Sequence, residues 1–312
     1  MKIKAALLGY GFLGKWHAQK LAVMPDVEFS VVVEPNAATH AEITKLYPQV
    51  KIFSKIEGCL DLFDAAVVAS PTIYHAENVD FLLRHNKHVF CEKPLSHSGA
   101  SAQELEQLSI CNAQLVAQVG HSERCHEIFE ASRDQWQKIT QGLVTFTRQG
   151  AFKGRALDVS CVEDIMVHDL DLMLYLFSVK NLSCRAWGVK SKSPHWDSVR
   201  AHFYTDNNLT FEFFVSRDAV EEVRKMEIYH SSGTTSVDFL NLTYTTTHET
   251  LKKTSYPKRD HLLFEQQMFF ASIRSKKPAW VNFKDGSKVC RLVDIVLEAL
   301  KKGTEIKAIS IE

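Results

Sequence analysis

No run of 18 apolar residues occurs in this 312-residue sequence, so nothing in it reads as a membrane-spanning helix. Net charge is missing too. Lys plus Arg and Asp plus Glu both number 37, which argues against nucleic acid or an anionic membrane as the main partner and leaves room only for a local basic pocket. The seven cysteines are odd in number and form no C-x-x-C pair, which argues against a disulfide framework or a zinc site and for reduced cytoplasmic thiols. Scattered histidines without an H-x-x-E-H element weigh against metal catalysis. The first apolar stretch stops at Gly9, too short for a signal-peptide core. Internal repeats and low-complexity segments are absent. These absences lead to the expectation of a soluble, cytoplasmic protein, with no metal and a length that favours two domains.

What is present starts at Gly9-Tyr10-Gly11-Phe12-Leu13-Gly14, a G-x-G-x-x-G run between a short apolar strand (residues 3–8) and a helical stretch (residues 15–23). A strand-to-helix turn of this kind binds a pyrophosphate. Gly9 permits the tight turn, Gly11 lets the backbone approach the phosphates, and Gly14 lets helix and strand pack closely. Glu34 ends the next apolar run, about 20 residues past the last glycine, where a dinucleotide fold places its ribose-binding acid. A carboxylate there repels a 2'-phosphate, so NAD is favoured over NADP, and no Arg follows in residues 35–38 to clasp one. The plainer alternative is a structural turn beside a solvated acid, and the common register of strand, loop, helix and acid weighs against it.

Residues 1–120 alternate short apolar runs with amphipathic helical stretches, as a doubly wound parallel sheet does. Strands are expected near residues 51–53, 65–69, 89–91 and 115–119, and helices near 76–84 and 101–111. From Gly142 the texture changes to successive strands joined by polar turns, near residues 143–148, 184–189, 199–204, 209–215, 226–229 and 234–239. Helices are expected at 167–177, 262–275 and 285–302, the last ended by Gly303. The fold class expected is therefore α/β: a Rossmann-type parallel sheet over 1–120, then an α+β domain over 121–312 with a large, mostly antiparallel open sheet. Alternation in residues 199–204 and 209–215 leaves the second face of that sheet partly apolar, which points to a homodimer or homotetramer formed through it, the plainer alternative being a loosely covered amphipathic sheet.

Two segments carry chemistry. Glu92-Lys93-Pro94 follows an apolar strand, so it lies at a carboxyl end where ligands of such folds bind. Asp164, His168 and Asp171 fall at i, i+4 and i+7, one stripe if the segment is helical. Acids bracketing a histidine on an apolar helix need a reason, because burying them without partners is costly. An acidic first turn with a satisfied core histidine is an equally good account of the spacing. Ser70, Pro71, Thr72 and His75 follow another strand and would line the cofactor crevice, or simply form a turn and a helix cap.

Taken together, the glycine run with His17, the Glu92-Lys93-Pro94 motif and the Asp164-x-x-x-His168 stripe resemble the Gfo/Idh/MocA oxidoreductase family over essentially the whole chain. The resemblance implies NAD(P)-dependent oxidation or reduction of a sugar or cyclitol carbinol. It assigns cofactor contacts to Gly9, Gly11, Phe12, Leu13, Gly14, Glu34, Ser70, Pro71, Thr72, His75, Glu92 and Lys93, and chemistry to Lys93, Asp164 and His168. Met166 stands where the commoner motif has Gly. Residues 120–124 look like the family's segment after its last Rossmann strand, and residues 155–171 most resemble the branch that oxidises UDP-N-acetylglucosamine at C3 for amino-sugar lipid A synthesis. Inositol-type dehydrogenases share the His-Asp-x-Asp element. The implied roles are His168 as base, Asp164 orienting its ring, and Lys93 binding the substrate oxygen, with Lys93 as base the alternative. A UDP-sugar needs cations for its diphosphate, and Arg124, Arg148, Lys153 and Arg155 are candidates. A catalytically silent NAD or sugar sensor is the competing class.

Overall fold

The computed structural model describes residues 2–154, 158–248 and 250–311. The chain divides into two compact units, one containing residues up to Ser122 together with Asp260–Cys290, the other Glu123–Arg259 with Arg291 onward.

In the first unit β1 (Ile3–Leu8), β2 (Val27–Val33), β3 (Lys51–Phe53), β4 (Ala65–Val68), β5 (His88–Glu92) and β6 (Ala117–Gly120) form one parallel sheet in the order β3-β2-β1-β4-β5-β6. That order is the Rossmann order, with its reversal beside β1. The central strands are buried on both faces, which is why they read as continuous apolar runs. Side chains of alternate residues go to opposite faces. Ala6, Leu8, Ala66 and Val68 pack on one side with α3 (His75–Arg84) and α4 (Gly99–Cys111). Ala5, Leu7, Ala65 and Val67 pack on the other with α1 (Phe12–Val23). A short α2 (His40–Leu46) lies between β2 and β3.

The second unit is built on a nine-stranded sheet. It contains α5 (Ile128–Trp136), β7 (Gly142–Gln149), α6 (Val167–Leu176), β8 (Asn181–Val189), β9 (Ser198–Thr205), β10 (Leu209–Ser216), β11 (Val223–His230), β12 (Gly233–Asp238), β13 (Thr243–Thr246), β14 (Lys252–Ser255) and β15 (Ile306–Ser310). Strand order is β14-β13-β12-β11-β7-β10-β9-β8-β15. All pairs are antiparallel except β7 with β10. Val199, Ala201, Phe203, Phe211, Phe213 and Val215 fill the buried face, while Trp187, Tyr204 and Tyr229 stand exposed on the other strand positions.

Two late helices complete the chain. α7 (His261–Ser275) belongs to the first unit, where Phe269 meets Phe90 edge-on with ring centres 5.9 Å apart. α8 (Phe283–Lys302) is divided between the units at Cys290. No helix among the described residues is long and apolar enough to cross a membrane.

Candidate active site

The glycine turn has the geometry its spacing predicts. Gly9 sits at φ +93° and a Cβ on it would lie 2.8 Å from backbone atoms of Ser70, so neither the conformation nor the space admits a side chain. Gly14 is tighter still: an added Cβ would meet the Gly9 carbonyl oxygen at 2.2 Å. Gly11, the N-cap of α1, is different, because nothing lies within 4 Å of where its Cβ would be. An open, side-chain-free helix start is what a pyrophosphate needs. Glu34 is placed beside it, its carboxylate accepting from the Tyr10 amide at 2.7 Å and the Asn36 amide at 2.8 Å. Phe12 is 73% exposed and Leu13 36%, both next to the turn. These residues fit a dinucleotide, whose pyrophosphate would face Gly11 and whose ribose would face Glu34.

At the carboxyl end of β5 the lysine motif is built from inside. Glu92 is buried, and its carboxylate accepts from His17 Nε2 at 2.7 Å and from the Lys93 amide at 3.1 Å. His17 Nδ1 in turn faces Gln266 Nε2 at 2.6 Å, so the imidazole donates to Glu92 and accepts from the amide. Burial alone would raise the Glu92 pKa, but the His17 bond and the neighbouring Lys93 charge hold it below the usual range. Lys93 is half-buried and joined to Pro94 by a cis peptide bond. The Glu92 side chain, expected at the cofactor, accepts from His17 and from the Lys93 amide. His75 is buried, with Nδ1 2.8 Å from the Pro94 carbonyl and Nε2 2.9 Å from that of Ser70. Burial lowers its pKa and favours the neutral ring, whose single N–H donates to one of these two carbonyls. Thr72 opens a short 3-10 turn whose N-cap is Pro71, with no side-chain cap bond.

In the second unit the segment carrying Asp164 and His168 begins with a capping box. Glu163 Oε2 accepts from both the amide and the hydroxyl of Ser160, at 2.8 and 2.9 Å, an S-x-x-E spacing visible in the sequence but not expected above. A π-helical turn, Val162–Met166, runs directly into α6. Such insertions re-aim side chains at functional sites. Asp164 and His168 are both half-buried. Glu123 is the member sequence reasoning missed. Its burial opposes ionisation, yet Arg148, His126 and the charge of His168 hold it well below the carboxylate range, so a fixed anion lies within electrostatic reach of His168.

Asp171, the third residue of the expected stripe, belongs to the scaffold. It is fully buried and takes both ends of Arg124, at 2.8 Å from Nε and 2.6 Å from Nη2. Arg148 is likewise buried between Asp169 (2.8 Å) and Glu123 (3.0 Å). Arg124 and Arg148, candidates for a diphosphate, are therefore buried and paired with carboxylates, a geometry the guanidinium fork suits. Lys153 is exposed, and Arg155 lies outside the described residues.

Fold and site together define a dinucleotide-binding oxidoreductase. Residues 3–121 match the model of the oxidoreductase family with an NAD-binding Rossmann fold, and residues 128–236 match the GFO/IDH/MocA C-terminal domain. The chain belongs to the Gfo/Idh/MocA oxidoreductase family. It is 27% identical over 298 residues to UDP-N-acetylglucosamine 3-dehydrogenase of Acidithiobacillus ferrooxidans, covering 92% of this chain and 94% of that one. The solved structure of that enzyme superposes with a TM-score of 0.89 over 97% of this chain and 99% of its own. Inositol 2-dehydrogenase of Rhizobium meliloti is 27% identical over 195 residues, 60% of this chain and 58% of that one. The scyllo-inositol dehydrogenase of Lactobacillus casei, solved with NAD(H) and scyllo-inositol, shares the fold at 19% identity, with a TM-score of 0.84 over 98% of this chain and 99% of its own.

Proposed function

We propose that this protein is an NAD-dependent sugar dehydrogenase that oxidises UDP-N-acetylglucosamine to its 3-keto form, in a route to amino-sugar cell-envelope lipid. The observation that carries the substrate is the end-to-end similarity to an enzyme named for that reaction, 92% of this chain against 94% of the relative. Oxidation removes a hydride from the carbinol carbon and a proton from its hydroxyl; NAD, when bound, supplies the hydride acceptor. The rest falls to the chain. His168 takes the hydroxyl proton, Asp164 orients the imidazole, and the buried Glu123 anion stabilises the cation that forms. Lys93, its backbone fixed by Glu92, donates to the substrate oxygen as alkoxide character develops.

An inositol or other free-sugar dehydrogenase is the second reading, favoured by the inositol 2-dehydrogenase similarity over 60% of the chain. The buried and paired state of Arg124 and Arg148 supports it, since it removes two of the cations a diphosphate would use. Assembly through the exposed face of the nine-stranded sheet, where Trp187 is 51% exposed, belongs to the same proposal. Turnover is tested by following NADH absorbance with UDP-sugars and inositols. Lys93→Met and His168→Asn should each lower kcat by about 10²–10⁴ while NADH still binds. Turnover of inositol and not of the UDP-sugar would replace the substrate, and full activity in both variants would remove the mechanism in favour of a sensor.

A further inference from the structure

Behind the lysine motif lies an acid that the reaction above does not use. Glu265 of α7 is 1% exposed, and neither carboxyl oxygen has a hydrogen-bond partner. Its surroundings are buried and polar. Its own turn of α7 is held by Gln118 of β6, the adjacent Gln266 faces His17 of α1, and His17 in turn faces Glu92 at the end of β5, all four of them buried. Gln118 Nε2 donates to the Glu265 carbonyl oxygen at 2.8 Å, which fixes the helix turn in place. The side-chain oxygens of Gln118 and Gln266 remain without partners, so this pocket of the interior offers acceptors in excess of donors.

Charge decides where the proton goes. An ionised carboxylate buried without donors is expensive, and two beside each other more so. Glu92 has the bonds that favour an anion, one from His17 at 2.7 Å and one from the Lys93 amide at 3.1 Å. Glu265 has none. The proton therefore resides on Glu265, where an O–H adds a donor to a cluster short of them.

We propose that Glu265 is a positioning residue for the dehydrogenase reaction: as a neutral acid it leaves the single negative charge of the cluster on Glu92, which holds the Lys93 backbone, and its ionisation loosens that hold. The electrostatics agree. Burial first, and the Glu92 charge second, push Glu265 well above the usual carboxylate range. Glu92 is the charged side chain acting on it, with His17 and Lys93 acting through Glu92. The catalytic half of the inference rests on the role proposed for Lys93; the protonation half stands without it.

Glu265→Gln and Glu265→Leu test both halves. A carboxyl whose folded pKa is raised costs stability progressively as pH climbs from its unfolded value of about 4.3 toward the folded one. Neither variant titrates there. The melting temperature of each variant relative to the native protein should thus rise between pH 5 and 8, and a difference that stays flat in both overturns the protonation. With the substrate the enzyme turns over, kcat of each protein is then normalised to its own value at pH 7. As pH is raised above 7 the native enzyme should lose rate while Glu265→Gln keeps it, with KM for NAD following the same course in both. Superimposable pH profiles overturn the positioning role. If Lys93→Met keeps full rate while the melting difference still rises with pH, the reading of Lys93 has failed and the buried acid has not.

Discussion

Alanine at Gly11 and alanine at Gly14 add the same methyl group to one loop, and the structure gives it opposite fates. At Gly14 the new carbon would sit 2.2 Å from the Gly9 carbonyl oxygen and 3.0 Å from its carbon, both backbone atoms, so α1 must move away from the turn. Overpacking of this kind costs about 1–3 kcal/mol, which for a chain of this size lowers Tm by roughly 2–10 °C. At Gly11 the backbone is at φ −74° and nothing lies within 4 Å. Its alanine variant loses at most about 1 kcal/mol as an N-cap change. The cofactor reverses the ranking of interest, because the empty volume over Gly11 is where a pyrophosphate must approach. Displacing one charge-assisted hydrogen bond costs about 1.5–3 kcal/mol, or roughly 10- to 100-fold in affinity. Scanning calorimetry gives the first quantity, and NADH titration followed by quenching of tryptophan fluorescence gives the second. The expected pattern is Gly11→Ala stable but weak in NADH binding, and Gly14→Ala impaired in both. Wild-type NADH affinity in Gly11→Ala would refute the placement of the pyrophosphate.

Two further outcomes follow from the buried ion pairs. Asp171→Ala removes the buried carboxylate that takes two hydrogen bonds from Arg124 and should cost about 3–5 kcal/mol in urea unfolding; a loss under about 1 kcal/mol would show that the pair is solvated. Asp197 Oδ2 accepts from the amides of Ser191, Lys192 and Ser193 at 2.8, 2.7 and 3.0 Å, and Oδ1 faces Arg217 Nε at 2.7 Å. Although burial opposes it, the Lys192 amide and Arg217 hold this carboxyl well below its ordinary value. A depressed carboxyl stabilises the fold above its unfolded pKa of about 3.9 and loses that contribution as pH falls toward the folded one. The stability gap between the native protein and Asp197→Ala should therefore narrow below about pH 4, and a gap independent of pH between 6 and 3 would contradict the assignment.

The parts of the site that were legible in the sequence are those set by local spacing. Strand, glycine turn and helix occupy consecutive residues, so G-x-G-x-x-G and Glu34 could be read directly, as could the strand ends that place Lys93. The S-x-x-E cap at Ser160 and Glu163 was equally local and went unread. Asp171 shows where spacing fails. It shares the stripe of Asp164 and His168, but its partner Arg124 is 47 residues away, and nothing in a helical period distinguishes an acid that meets substrate from one that closes an ion pair in the core.

Composition and periodicity by themselves determined that this chain makes a parallel, dinucleotide-binding sheet followed by a mostly antiparallel one, because hydrophobic alternation and glycine geometry act over a few residues. Only the tertiary structure decided which charges are spent on the fold. His17 with Glu92 spans 75 residues and Gln266 with His17 spans 249; α7 belongs to the first unit although residues 123–259 of the second precede it in the sequence; and one glutamate of the cluster must keep its proton. Each depends on burial, and burial is created by packing between segments that the sequence keeps apart.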